Sequence, residues 1–152
     1  MTPIRTILHP TDFSARSEHA FQLACSLARH HNARLIVLHV LERPLIGYTG
    51  VAMAPPPPPP STDERQALQE QLHQIQASDP AVPVEHLLVE GGTAAAILQI
   101  AQERQTDLIV MGTHGRTGLG RLLMGSVAEK VLRDATCPVL TVKTPLPADG
   151  SS

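Results

Sequence analysis

The chain has 152 residues, of which 42% are hydrophobic and 17% charged, with a formal net charge of −2. That length suits one domain with one real core, and the slight acidity gives no electrostatic case for nucleic acid or an anionic membrane. Aromatic residues make up only 2%, too few for the stacking platforms that bind single strands.

The opening MTPIRTILHPTDFS has neither a long apolar run nor a small-residue cleavage site, and no later stretch reaches membrane-spanning length, so the expected compartment is the cytoplasm. A first strand is expected at Ile4–Leu8, followed by His9-Pro10-Thr11-Asp12 as a polar loop. Ser14 to His31 then reads as a helix, with Ser14 as its N-cap and Ala20, Leu23, Ala24, Leu27 and Ala28 as its apolar stripe. Cys25 lies in that helix and Cys137 far away, at no metal or redox spacing, which predicts two small buried thiols.

Leu35–Leu41 is the second strand. It gives way at 42–60 to ERPLIGYTGVAMAPPPPPP, a long connection ending in Pro55–Pro60. Six residues of polyproline II span roughly 19 Å and are stiff, as suits a linker or insertion, with a lid or a docking motif as alternatives. Ser61 and Glu64 form a capping box for the next helix, whose apolar face is Leu68, Leu72 and Ile75. A third strand, Val82–Val89, is interrupted by Pro83. Gly91-Gly92 leads into a helix striped by Ala94, Ile97, Leu98 and Ala101. The fourth strand is Leu108–Met111, the last helix carries Val127 and Val131 after Gly125-Ser126, and the fifth strand is Val139–Val142 behind Pro138.

These strands are nearly continuous in branched aliphatics, as befits strands buried on both faces of a parallel sheet, and they alternate with helices. The expected fold is therefore a single doubly wound α/β domain over residues 1–145, with about four helices and a flexible tail at 146–152. Proline is tolerated at edges and strand starts, so Pro83 and Pro138 put strands three and five outside and favour the order 3-2-1-4-5. The winding then reverses between strands one and four, and ligands in such sheets bind outside the carboxyl ends at that reversal. Two loops meet there: residues 9–12, and the segment after strand four.

That second segment holds five of the chain's ten glycines between 112 and 125. Read as G-x-x-G-x9-G-S, it places Gly112, Gly115 and Gly125 where bare backbone N–H groups can cradle an anion. Ser126 opens the last helix, where it can cap the helix or offer its hydroxyl to a phosphate oxygen, and Arg116 and Arg121 add positive charge. No G-K-[ST] follows, so this is not a P-loop, and it comes too late for the dinucleotide fingerprint. Asp12 could simply begin the first helix, and its place at the reversal also allows ligand contact. His114 has no evident catalytic partner, and His9 and His39 lack a nearby third metal ligand. Met111 and Met124 read as packing.

Taken together, HPTDFS, LHV closing strand two, DLIVMGTHG, the glycine spacing and CPVL resemble the universal stress protein family from about Ile4 to Val142. The resemblance implies a dimer and, because the glycine pattern is complete, the ATP-binding subgroup. By position it implies that Pro10, Thr11 and Asp12 meet the adenosine portion and that Val40 offers its backbone to adenine. Met111, Gly112 and Gly115 would line the ribose and phosphates, and Arg116, Gly125, Ser126 and Val127 would hold the triphosphate, with Mg²⁺ or Mn²⁺ as companion cation. His9 departs from the small aliphatic residue the family often has there. The implied function is a nucleotide-dependent stress-response module with little or slow hydrolysis and an unknown downstream protein partner. The alternatives are an ATPase or nucleotidyl transferase, or a protein whose cradle holds AMP or a cyclic nucleotide. Dimerisation is expected through Val139–Val142, an apolar edge weakly protected by Pro138 and Lys143.

Overall fold

The computed structural model describes residues 3–43, 58–113 and 125–143. Its elements run β1 (Thr6–Pro10), α1 (Ala15–His31), β2 (Arg34–Glu42), α2 (Thr62–His73), β3 (Val84–Gly91), α3 (Thr93–Glu103), β4 (Leu108–Gly112), α4 (Ser126–Asp134) and β5 (Val139–Val142). The strands form one parallel sheet in the order β3-β2-β1-β4-β5, as the prolines imply.

Alternation along β1 and β2 divides the core in two. Ile7, Leu35 and Val37 face α1 and α2, packing with Ala20, Phe21, Ala24, Ala28 and Leu72. Leu8, Ile36, Leu38 and Val40 face α3 and α4, packing with Ala94, Ile97, Ala101, Ala128 and Val131. Both faces are covered, so the strands read as continuous apolar runs rather than alternating ones.

Pro83 sits one residue before β3 rather than inside it, and Pro138 sits one residue before β5 as expected. Each still contributes a carbonyl to the ladder: Leu35 N–H donates to Pro83 O at 2.9 Å, and Ile109 N–H to Pro138 O at 3.0 Å. A missing donor is harmless at that place, which is why proline serves there. β1 also starts later than Ile4, and β3 later than Val82, although Val82 is buried.

Both capping expectations hold. Ser14 Oγ accepts from Ser17 N–H to start α1, and Ser61 and Glu64 bond reciprocally at the start of α2. The stripe of α1 needs correction, because Leu23 is exposed while Ser17 and Phe21 are buried. The face that α1 turns to the sheet carries Ala20, Phe21, Ala24 and Ala28, and Leu23 lies off it. The thiols also differ from expectation. Cys25 and Cys137 are half-buried, and desolvation raises both, Cys25 to about 11, which keeps them protonated and unreactive.

Candidate functional site at the carboxyl ends of the strands

β1 and β4 share only two register pairs, Ile7↔Leu108 and Leu8↔Ile109. The cause lies in Pro10. Successive residues of a parallel strand bond to alternate neighbours. Arg34 N–H donates to Arg5 O and Thr11 N–H to Leu38 O, so odd positions of β1 face β2. Asp107 N–H donates to Thr6 O, so even positions face β4. The N–H that Pro10 lacks is therefore the next rung toward β4. One residue earlier, His9 Nδ1–H donates to Val110 O at 2.9 Å, tying the strands together by a side chain. Beyond these residues the strands part and a crevice begins.

A cavity of about 480 Å³ occupies that crevice, within the usual range of small-molecule sites. Pro10 comes from the end of β1, Thr11 and Asp12 from the β1–α1 loop, Val40 from β2, Met111 and Gly112 from β4, and Val127 from α4. The structure thus brings together seven of the eleven expected site residues. Gly125 and Ser126 stand at the adjoining start of α4 without lining the cavity. Gly125, not Ser126, is the N-cap, and no side chain caps this helix. Gly115 and Arg116 lie outside the described residues, as do His114, Arg121 and Met124.

The β1–α1 loop is held by a local network. Asp12 Oδ1 accepts from Ser17 Oγ at 2.7 Å and from Ser14 N–H at 2.9 Å. Phe13 adopts φ 66°, a conformation that costs a bulky residue of order 1–3 kcal/mol and is kept only where neighbours fix it. They do so here: its N–H donates to Thr11 Oγ1 at 3.0 Å, and its ring lies 4.4 Å from that of His39, whose Nδ1–H donates to Thr11 O.

His9 does not narrow the crevice. It shares the α1-facing side of β1 with Ile7, is fully buried, and packs 5.7 Å from the Phe21 ring. Desolvation lowers its pKa from 6.5 to about 4 against the opposing pull of the Val110 carbonyl and Asp12, so the ring is neutral near pH 7.

Several lining residues escaped the sequence reading, among them Ser17, Glu42, Thr93 and Ile97. Thr93 opens α3 behind Gly92, an N-cap without a side-chain bond. The signal was Gly91-Gly92, read only as a helix start. Two helix N-termini whose N-cap residues make no side-chain bond therefore adjoin a cavity whose charged lining side chains among the described residues, Asp12 and Glu42, are both acidic. Such a site offers backbone donors for an anionic group and carboxylates for hydroxyl or amine donors.

Residues 3–143 match the model of the universal stress protein family. A universal stress protein of Thermus aquaticus is 38% identical over 140 residues, covering 91% of this chain and 98% of that one. Another, from Methanocaldococcus jannaschii, is 34% identical over 142 residues, with 93% and 83% covered. Among solved structures, a universal stress protein in complex with cAMP superposes with a TM-score of 0.67 at 28% identity, covering 95% of this chain and all (100%) of that one.

Proposed function

The chain belongs to the universal stress protein family, and from that premise we propose that it is an adenine-nucleotide-binding regulatory module whose preferred ligand is ATP. The observation carrying this reading is the cavity at the β1/β4 reversal, walled by the expected residues and adjoined by two helix N-termini without side-chain caps. The β1–α1 loop and Val40 receive the adenosine end, where Asp12 and Glu42 accept from hydroxyl and amine groups. Met111, Gly112, Gly115, Arg116, Gly125, Ser126 and Val127 receive the ribose and phosphates, the last four with Mg²⁺ or Mn²⁺ as counter-charge. Ser126, exposed at the first position of α4 and not its cap, supplies a hydroxyl to a phosphate oxygen.

Slow or no hydrolysis accompanies this role. Among the described titratable groups of the cavity, Asp12 already accepts from Ser17 and Ser14, which leaves Glu42 and His39 Nε2 with basic capacity, and this reading assigns both to ligand contact rather than to activating water. Turnover should fall well below the enzyme median of about 10 per second. The cAMP-bound relative favours a second reading, in which a cyclic or monophosphate nucleotide is the resident ligand.

Calorimetric titration with ATP, AMP and cAMP separates the two. ATP should bind tightest, and Ser126→Ala should weaken it roughly ten- to hundredfold while leaving AMP little changed, as expected for one lost bond to a charged group. Preference for cAMP would install the second reading. No binding of any of the three, in folded protein with Mg²⁺ present, would overturn both.

A further inference from the structure

On the α1 side of the sheet, between α1, the C-terminal end of α2 and the β1–α1 loop, lies a second cavity of about 300 Å³. Its floor includes the buried His9. Because Val110 O can only accept, Nδ1 carries the proton and Nε2 presents a lone pair, to which no described group donates. A buried acceptor in that state calls for a donor.

The surroundings define what kind. Among the described residues no lysine or arginine lines the cavity, and Glu18 adds a carboxylate, so an anion is disfavoured. Gln22 of α1, Gln71 of α2, and Gln74 and Gln76 beyond it contribute carboxamides that both donate and accept. An ammonium group would satisfy Glu18, His9 and the carboxamide oxygens but has no acceptor to offer the carboxamide N–H₂ groups. Hydroxyl groups match all of them, and the rings of Phe13 and Phe21 offer apolar surface to a C–H face. We propose that this cavity is a second ligand site, one that takes a small neutral polyol. It shares Thr11 and Ser17 with the crevice on the other side of the β1–α1 loop, so the two sites have a common wall. By linkage, any change one ligand makes in the other's affinity is reciprocated.

The test uses the nucleotide-free full chain titrated separately with myo-inositol and sorbitol, read by ¹⁵N NMR of the histidine rings and glutamine carboxamides. At least one polyol should produce a saturable shift of His9 Nε2 together with the Gln71 and Gln74 carboxamides. The double change Gln71→Ala and Gln74→Ala, at two exposed positions, should weaken that binding about tenfold or more in folded protein. Non-saturating shifts with both polyols, or unchanged affinity in the double variant, would overturn the proposal. So would a His9 Nε2 signal that reports exchange with water alone. Because no nucleotide is present, any of these three failures leaves the nucleotide reading intact, and a failed ATP titration leaves this site standing.

Discussion

Acidification should destabilise this protein through a single buried ring. His9 titrates at about 4 in the folded chain and at 6.5 in the unfolded one, because burial disfavours its charged form. Between those values the unfolded state binds a proton that the native state refuses, so stability rises with pH across this window and is lost as pH falls through it. Each pH unit is worth about 1.4 kcal/mol, giving a total loss of about 3 kcal/mol by the lower end. For a domain of this size that is roughly 6–12 °C in Tm. Carboxylates titrate in part of the same range, so the reading must be a difference. His9→Leu keeps the bulk, removes the titration and leaves Val110 O without its donor, an offset independent of pH. Urea unfolding of both proteins from neutral pH to pH 4 should show the wild type losing about 3 kcal/mol more than the variant. The ring's own titration, followed by NMR, should show no protonation until close to pH 4. Parallel curves, or a measured value near that of free imidazole, would refute the reasoning.

Gly112→Ala should destabilise by a net 1–2 kcal/mol or so. A Cβ there would stand 3.2 Å from the Arg16 backbone carbonyl, and the overpacking cost of ~1–3 kcal/mol exceeds the strand's gain of about 0.5–1 kcal/mol on losing a glycine. A variant melting at or above the wild-type temperature would show that α1 yields easily. Ser61→Ala removes one half of the capping box and should cost about 1 kcal/mol, visible as reduced α2 protection in hydrogen exchange. Sedimentation should find a wild-type dimer at micromolar concentration and a folded monomer for Leu140→Lys. A wild-type monomer, or a variant still dimeric, removes β5 as the interface. Leu140 is the informative position because it is 37% exposed, whereas Val142 is buried in the α1-side core and its replacement would test the fold instead.

The sheet order was legible because its determinants are local and few. Strands covered on both faces show unbroken aliphatic runs, and two prolines mark where a backbone donor is dispensable. The crevice was legible for the same reason, since topology alone places residues 10–12 beside 111–112. What escaped depends on contacts across the fold. Hydrophobicity assigns Leu23 to the face of α1, but the helix turns Ser17, Ala20, Phe21, Ala24 and Ala28 inward, and nothing local reports that rotation. Phe13 gives no sign of a positive φ, which exists because Thr11 and His39 fix it. Thr93 and Glu42 reach the cavity from elements distant in sequence. His9 could have been assigned its side of the sheet from its parity with Ile7, but not its bond to Val110.

Pro10 and His9 between them make the crevice a property of the chain rather than of its occupant. One residue deletes the rung that would have closed β1 onto β4, and the other pegs the two strands just before they separate. A ligand arriving there has no backbone hydrogen bonds to break and no strand to displace. Its binding free energy is thus not diminished by the reorganisation that an induced opening would require. The same arrangement restricts what occupancy can report. A crevice shaped by the chain itself transmits little by widening, so any effect of an occupant would have to pass through its other walls, the β1–α1 loop and the residues of α4.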